Sequence, residues 1–542
     1  MKQNYMKGLN YDDFVLTSEG LKEEDRSKAI KNLQDYLKEQ KGRFLGYQVN
    51  HNMTYDEDLK PFLNMHINNV GDPFIESNYT MSSKAMEKAV LDYYAKLWNG
   101  ITPHDKENPE SYWGYTLSMG STEGNVYAIW NARDYLSGKE LLIDESKGNS
   151  NKVFNPSNLS KNLATNNENT YTPIAFYSQD THYSIKKAMR VLSFETFYEI
   201  GSSKYHCPLR FPEDYPSGYS KGNLGEGGWP LEVPSNHDGS IHIPSLTKLI
   251  DFFTGKGYPV FVCFNYGTTF KGAYDQVEKA VNALVPILKK NKMYEREIPY
   301  KEKSCHGTVI RNGFWFHVDG ALGAAYMPYI EKSVKEGKLS LPEGYDFPKF
   351  DFRIPEVNSI VMSIHKWVGA PFSCGLLMTK TKYQLLPPAN PMYIGSPDTT
   401  FAGSRNGLAP IVLWNFLAKH SEEKLKEMAL KTEKIAQYAE RRLKELEKVL
   451  QIDLWVERSP LALTVRFRKP NDQVIFSNTL SCETVFVGEE KRDYAHVYAM
   501  EHVTEEMIDL LIEDLRDSDA YQEFNDSPLE VEIHPMENCL GS

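Results

Sequence analysis

Apolar residues recur three and four positions apart over residues 84–98, KAMEKAVLDYYAKLW, and this spacing predicts a helix with one buried face. Residues 18–40, SEGLKEEDRSKAIKNLQDYLKEQ, keep the helical period beneath charged outer faces. YWGYTLSMGSTEGNVYAIWNARDYL then reads as a strand, a Gly-Ser-Thr turn and a helix. After it, short apolar runs alternate with amphipathic stretches: IAFYSQ, THYSIKKAMRVL, YPVFVCFNYG, AYDQVEKAVNALVPILKK, FWFHVDGA. A further run ends FPKFDFRIPEVNSIVM, and GLLMTK follows it. Such alternation predicts βαβ units and an α/β fold around a mainly parallel sheet. Beyond about residue 405 a long helical region, APIVLWNFLAKHSEEKLKEMALKTEKIAQYAERRLKELEKVL, leads to a strand, LALTVRFRKP, and a helix, TEEMIDLLIEDLRD. That change predicts a smaller C-terminal α+β domain, and the expected division is 1–95, 96–400 and 401–542.

Two segments break the pattern. Residues 145–170 hold eight asparagines and little that could form a core. Residues 201–238 are rich in Gly, Pro and aromatics. Both read as insertions on the surface or over a cleft.

The bulk numbers narrow the class. A chain of 542 residues is long for one core, so a large and a smaller domain are expected. Hydrophobic residues make up 41% and charged ones 25%, as in ordinary globular proteins. A net charge of −12 argues against nucleic-acid binding, which needs clustered Lys and Arg. No run of apolar residues is long enough to span a membrane. The start, MKQNYMKGLNYDDF, has no apolar core of a signal peptide, and a cytoplasmic location is expected. The six cysteines are scattered and form no CxxC pair. Cys305, His306 and His317 have no recognised ligand spacing, and no metal is expected.

Candidate chemistry sits in four places. In SIHKWVGAPFSCG, Lys366 lies between two buried-looking strands, either as a snorkelling surface residue or as a buried amine with a covalent task. In MGSTEGN, the turn of Gly120, Ser121 and Thr122 opens a helix, where it serves as an N-cap or presents N–H groups and hydroxyls to an anion. His182 follows a strand in SQDTHYS. Asp319 closes the apolar strand of FHVDGALGAAY and needs a partner there. Together, in this order, the four supply what pyridoxal phosphate requires: a phosphate cradle, a flat group against the ring, an anion for the ring nitrogen and an amine for the aldehyde.

The surrounding text resembles the group II pyridoxal-phosphate-dependent amino-acid decarboxylases, in particular their bacterial histidine decarboxylase and plant serine decarboxylase branch. The resemblance rests on INNVGDPFIESNY (67–79), YWGY and STEGN (112–125), THYSIKKAMR (181–190), GTTFKGAYD (267–275), HVDGAL (317–322), SIHKWVGAPFSCG (363–375) and GSRNG (403–407). It implies a fold-type-I enzyme that converts an L-amino acid to its amine and CO2. It also implies a homodimer, with the 1–95 arm at the interface.

The resemblance further implies residue roles. Lys366 would bind the cofactor as a Schiff base, Asp319 would pair with the ring nitrogen, and His182 and Ala321 would flank the ring. Gly120, Ser121, Thr122, Ser363 and His365 would hold the phosphate, and Thr269 would touch the ring. Tyr393 matches a mobile-loop proton donor. Ser404 and Arg405 would help complete a neighbour's site, and His66 and Asn68 would bound the substrate pocket. The chain departs from the branch at Ser118–Ser121, at Ile364, where the branch has Gly, and in its insertions, including a third at 290–312. The expected substrate is histidine or an aromatic amino acid such as tryptophan, with serine as the alternative. Another fold-type-I lyase or aminotransferase is the competing enzyme reading. A catalytically idle regulator that binds the cofactor is the reading from a different class; the intact Lys366, Asp319 and His182 argue against it.

Overall fold

The computed structural model describes residues 8–139, 167–302, 305–384, 387, 391–517 and 519–521. The asparagine-rich insertion expected at 145–170 lies outside the described residues except for its last four. In chain order the strands are β1 Tyr112–Leu117, β2 Ile174–Phe176, β3 Val260–Asn265, β4 Arg296–Glu302, β5 Cys305–Arg311, β6 Phe314–Asp319, β7 Val357–Ser363, β8 Gly375–Lys380, β9 Thr464–Arg468, β10 Ser481–Val487 and β11 Glu490–Tyr498. Six of them form one sheet in the order β1-β8-β7-β6-β3-β2. From β7 to β2 the neighbours are parallel, and β8 runs antiparallel to both β7 and β1.

Every residue of β3 and β6 is buried, which is why VFVCFN and FWFHVD read as continuous apolar runs. Side chains still alternate between the two faces. Val260, Val262, Phe264, Phe314, Phe316 and Val318 join the large core with helices Ile243–Gly255, Val277–Lys290 and Gly323–Lys335. Phe261, Cys263 and Trp315 belong to a separate cluster, with Ile129, Ala132, Ile185 and Ala188 of helices Ser121–Leu136 and Tyr183–Leu192. Each such buried side chain contributes about 2 kcal/mol of transfer energy.

Pairing register then gathers the strand ends. Leu117 and Ser363 both pair with Gly375, and Asn265 and Val361 both pair with Asp319. The carboxyl ends of β1, β3, β6 and β7 therefore share one edge of the sheet, where open α/β folds bind ligands.

Segment 201–238, expected as an insertion, is anchored by a buried aromatic side chain. Trp229 is fully buried against Phe252 and Phe253, and its Nε1–H donates to the Tyr205 carbonyl at 3.2 Å. The 290–312 segment contains the β4–β5 hairpin, anchored where Arg296 donates to the carbonyls of Thr170 and Leu136 at 2.7 and 2.9 Å. The long C-terminal helical region is two helices, Leu408–Lys419 and Glu422–Leu450. They separate because Ser421 Oγ caps the second, accepting from Lys424 N–H at 3.2 Å. β9, β10 and β11 form an antiparallel sheet in the order β10-β11-β9, and β10–β11 is a hairpin that the apolar pattern does not announce. No helix among the described residues is long and apolar enough to cross a membrane.

Candidate active site

The strand ends surround a cavity of about 180 Å³ lined by Ser121, Thr122, His182, Thr269, Asp319, Ala321, Ser363, His365 and Lys366, together with Met119, Asn265, Gly267, Thr268 and Ser373. Nine residues expected from the sequence thus meet in one place, although Ser121 and Lys366 lie far apart in the chain. Lys366 sits in the loop between β7 and β8, and its Nζ donates to Gln48 Oε1 at 2.5 Å. Burial pulls the Lys366 amine down to about 8, against the opposing attraction of Asp319. Asp319, the last residue of β6, accepts from Asn125 Nδ2 at 2.8 Å and from the Ala321 N–H at 3.2 Å.

The Gly120 turn has a steric reason. Its φ is +73°, and a Cβ there would stand 2.6 Å from His365 Cε1. Only glycine allows this approach without displacing the imidazole. The helix Ser121–Leu136 starts with no side-chain cap. Instead the Ser121 N–H donates to Ser363 Oγ at 3.1 Å, and Ser363 Oγ–H donates to Ser121 Oγ at 2.9 Å. An uncapped helix N-terminus, two serine hydroxyls, Thr122 and His365 make a cradle for an anion. Glu123 closes the turn from behind, accepting from the N–H groups of Ser118 and Met119 at 2.7 and 3.0 Å.

His182 caps the helix Tyr183–Leu192. Its Nδ1 lies 2.8 Å from Ser184 Oγ and accepts from the Ser184 N–H at 3.3 Å. Burial lowers its pKa, Lys366 and Lys187 add to the effect, and Asp319 opposes it. His365 Nδ1 rests on the Cys374 main chain, 2.9 Å from the carbonyl and 3.2 Å from the N–H, and burial lowers its pKa as well. The Thr269 carbonyl accepts from Tyr498 O–H at 2.7 Å and Gln48 Nε2 at 3.5 Å.

The remaining expected residues lie elsewhere. Tyr393, His66, Asn68, Ser404 and Arg405 do not line the cavity. Tyr393 is 82% exposed, and its carbonyl accepts from Asn78 Nδ2 at 3.3 Å. His66 is exposed, and its carbonyl accepts from Tyr79 O–H at 3.1 Å. Asn68 joins Ser404 Oγ at 3.0 Å and the Arg405 N–H at 2.9 Å. The Arg405 guanidinium is fully buried on Glu87. These residues form a second assembly in which segment 66–87 is tied to segment 393–405.

Sequence reasoning missed Gln48. GYQVNHN carries no motif, and only the fold brings it to an amine 318 positions away. Asn125 was quoted within STEGN without a role; its contact with Asp319 is a long-range product of the sheet.

The donor set fits pyridoxal phosphate: an anion cradle that a Cβ would fill, a buried carboxylate and a desolvated amine open onto the same cavity. Residues 230–459 match the pyridoxal-dependent decarboxylase conserved domain. The crystal structure of L-methionine decarboxylase from Streptomyces sp. 590, in complex with L-methionine methyl ester, is 42% identical with a TM-score of 0.84, over 94% of this chain and 97% of that one. Serine decarboxylase 3 of Oryza sativa subsp. japonica is 29% identical over 88% of this chain and 78% of that protein. Histidine decarboxylase of Solanum lycopersicum is 27% identical over 90% of this chain and 88% of that protein. The mixed sheet with one antiparallel strand is accordingly the expected fold-type-I arrangement. Cavity chemistry, fold and likeness over nearly the whole chain agree that this protein belongs to the pyridoxal-dependent decarboxylase family and is a pyridoxal 5'-phosphate-dependent amino-acid decarboxylase.

Proposed function

We propose that the substrate is L-methionine or a similarly unbranched apolar amino acid. The observation that carries this is the 42% identity to a methionine decarboxylase over 94% of the chain, against 29% and 27% for the serine and histidine enzymes. The reading departs from histidine for a chemical reason as well. The charged side chains lining the cavity, among the described residues, are Asp319 and Lys366, and the cofactor occupies both. Met119, 56% exposed at the cavity, offers a soft surface to a thioether.

Pyridoxal phosphate, when bound, supplies the electron sink that takes up the bonding pair as CO2 leaves. The protein positions everything else. Ser121, Thr122, Ser363, His365 and the helix N-terminus would hold the phosphate; the Gly120 turn brings them close. The Lys366 amine, desolvated and held by Gln48, is the group that would hold the cofactor's aldehyde end. Asp319 would pair with the ring nitrogen and favour its protonated form, and Thr269, His182 and Ala321 would border the ring. Tyr393 delivers a proton to the substrate Cα from a loop that closes across a homodimer interface, where His66, Asn68, Ser404 and Arg405 also contribute. The exposed position of Tyr393 and its ties to the 66–87 segment support a role outside its own chain's cavity.

Incubating the holoenzyme with each of the twenty amino acids and identifying amines by mass tests the reading. The expected main product is 3-methylthiopropylamine. Histamine, tryptamine or ethanolamine as the main product would overturn it.

A further inference from the structure

Behind Asp319 stands a file of four side chains that do not line the cavity: Asn125, His317, Ser359 and Trp315. All are buried, none more than 1% exposed. Asp319 sets their direction: the carboxylate only accepts, so Asn125 gives it Nδ2 and turns Oδ1 to His317. The indole N–H of Trp315 can only donate, and it donates to Ser359 Oγ at 2.9 Å. The Ser359 hydroxyl hydrogen is then free to reach His317 Nδ1, 2.8 Å away. Burial pushes the His317 imidazole down to about 4, with Asp319 and the Ser359 main chain pulling the other way. The ring is therefore neutral, and because the Asn125 Oδ1 that faces Nε2 at 2.8 Å can only accept, the single N–H lies at Nε2 and Nδ1 takes the Ser359 hydroxyl. With its oxygen held there, Asn125 turns Nδ2 to Asp319 Oδ2 at 2.8 Å.

The same amide reaches further. Asn125 Nδ2 also lies 3.5 Å from Ser184 Oγ, whose hydroxyl faces His182 Nδ1 at 2.8 Å. The Ser184 N–H donates to that Nδ1 as well, so it accepts and the proton sits on Nε2. The titratable groups around Asp319 are His317 on its own strand, Lys366 after β7, His182 before the helix Tyr183–Leu192, and Cys263 on β3. Of these only Lys366 brings a formal positive charge, and the cofactor consumes it. The orientation of Asp319 then depends on Asn125 and the Ala321 N–H.

We propose that Asn125, locked in one amide orientation by the Trp315–Ser359–His317 file, is a positioning residue that aims the Asp319 carboxylate at the cofactor's ring nitrogen. The inference rests on the reading of Asp319 as the ring-nitrogen partner. Without His317 as donor, the Asn125 oxygen loses its partner, only the acceptor carboxylate still orients the amide, and Asp319 is aimed less firmly.

The holoenzyme reconstituted with cofactor labelled with ¹⁵N in the pyridine ring tests this. The ring-nitrogen chemical shift reports its proton directly, which a merely structural role would not move. In Asn125→Leu and His317→Leu the shift is expected to move toward that of neutral pyridine. Turnover should fall on the order of 10- to 100-fold in kcat, the range carried by groups that orient a functional ligand, with KM little changed. His317→Gln, which keeps an N–H for Asn125, should stay near wild type. If the leucine variants do not fold, Ser359→Ala removes the hydroxyl that His317 Nδ1 and the Trp315 N–H share and should shift the signal the same way by less. A wild-type ring-nitrogen signal in every folded variant overturns the proposal. Asp319→Asn separates the two layers. If it too leaves the signal unchanged, the reading of Asp319 fails; if it alone moves the signal, only the positioning role fails.

Discussion

Replacing Lys366 by Met removes the amine that the reaction needs, and it should also make the cofactor-free protein more stable. Burial holds the Lys366 amine at about 8 in place of 10.5. A depression of that size corresponds to about 3 kcal/mol of folding free energy lost at neutral pH, because the unfolded chain binds a proton that the folded site accepts poorly. Methionine has similar length and no charge to desolvate. It leaves Gln48 Oε1 without its donor at 2.5 Å, which costs about 1 kcal/mol. The net expectation at pH 7 is a gain of about 2 kcal/mol. The sign of the pH dependence follows. Between about 8 and 10.5 the unfolded wild type still holds the proton and the folded one does not, so raising the pH stabilises wild type relative to the variant. The gap should shrink to about zero near pH 10. Urea unfolding of both cofactor-stripped proteins, extrapolated to water at pH 7 and pH 10, measures it. Every other titratable group is shared, so the difference isolates Lys366. A wild type as stable as the variant at pH 7, or a gap that ignores pH, would refute the claim that this amine is held desolvated for function.

Tyr393→Phe should still release CO2 but yield a larger share of carbonyl product relative to amine, read by mass over time; an unchanged ratio and rate would reduce Tyr393 to packing. Arg405→Met removes the cation paired with the buried Glu87, whose Asn69 and Thr116 donors remain, and should cost about 3 kcal/mol in urea unfolding, part of which Glu87→Gln restores. Gly120→Ala places a methyl 2.6 Å from His365 Cε1 at a φ of +73°, so equilibrium dialysis should show cofactor affinity weakened by about tenfold or more, while a wild-type constant would show that the turn does not shape the cradle.

Local pattern was enough for much of this protein. Short apolar runs and helical spacings announced the strands and helices of the large sheet, because burial on two faces leaves a continuous apolar run such as VFVCFN. Gly120, Ser121, His182, Asp319 and Lys366 were legible because each sits where a strand ends, and polar residues at such edges stand out against apolar neighbours. His317 drew notice only beside Cys305 and His306 as a set without ligand spacing, and a histidine inside FWFHVD says only that a partner exists. Its partners, Asn125 and Ser359, come from a helix and a neighbouring strand brought together by sheet register. Gln48 beside Lys366 and Glu87 beneath Arg405 are products of the same kind, since contacts across 318 positions leave no period to read. The β10–β11 hairpin escaped because its first strand is largely exposed, so no buried stripe marks it. Composition and spacing determine which segments must be buried and which side chains carry chemistry. The tertiary structure alone decides which buried polar groups face one another, because a desolvated donor is satisfied by whatever acceptor the packing of distant segments delivers.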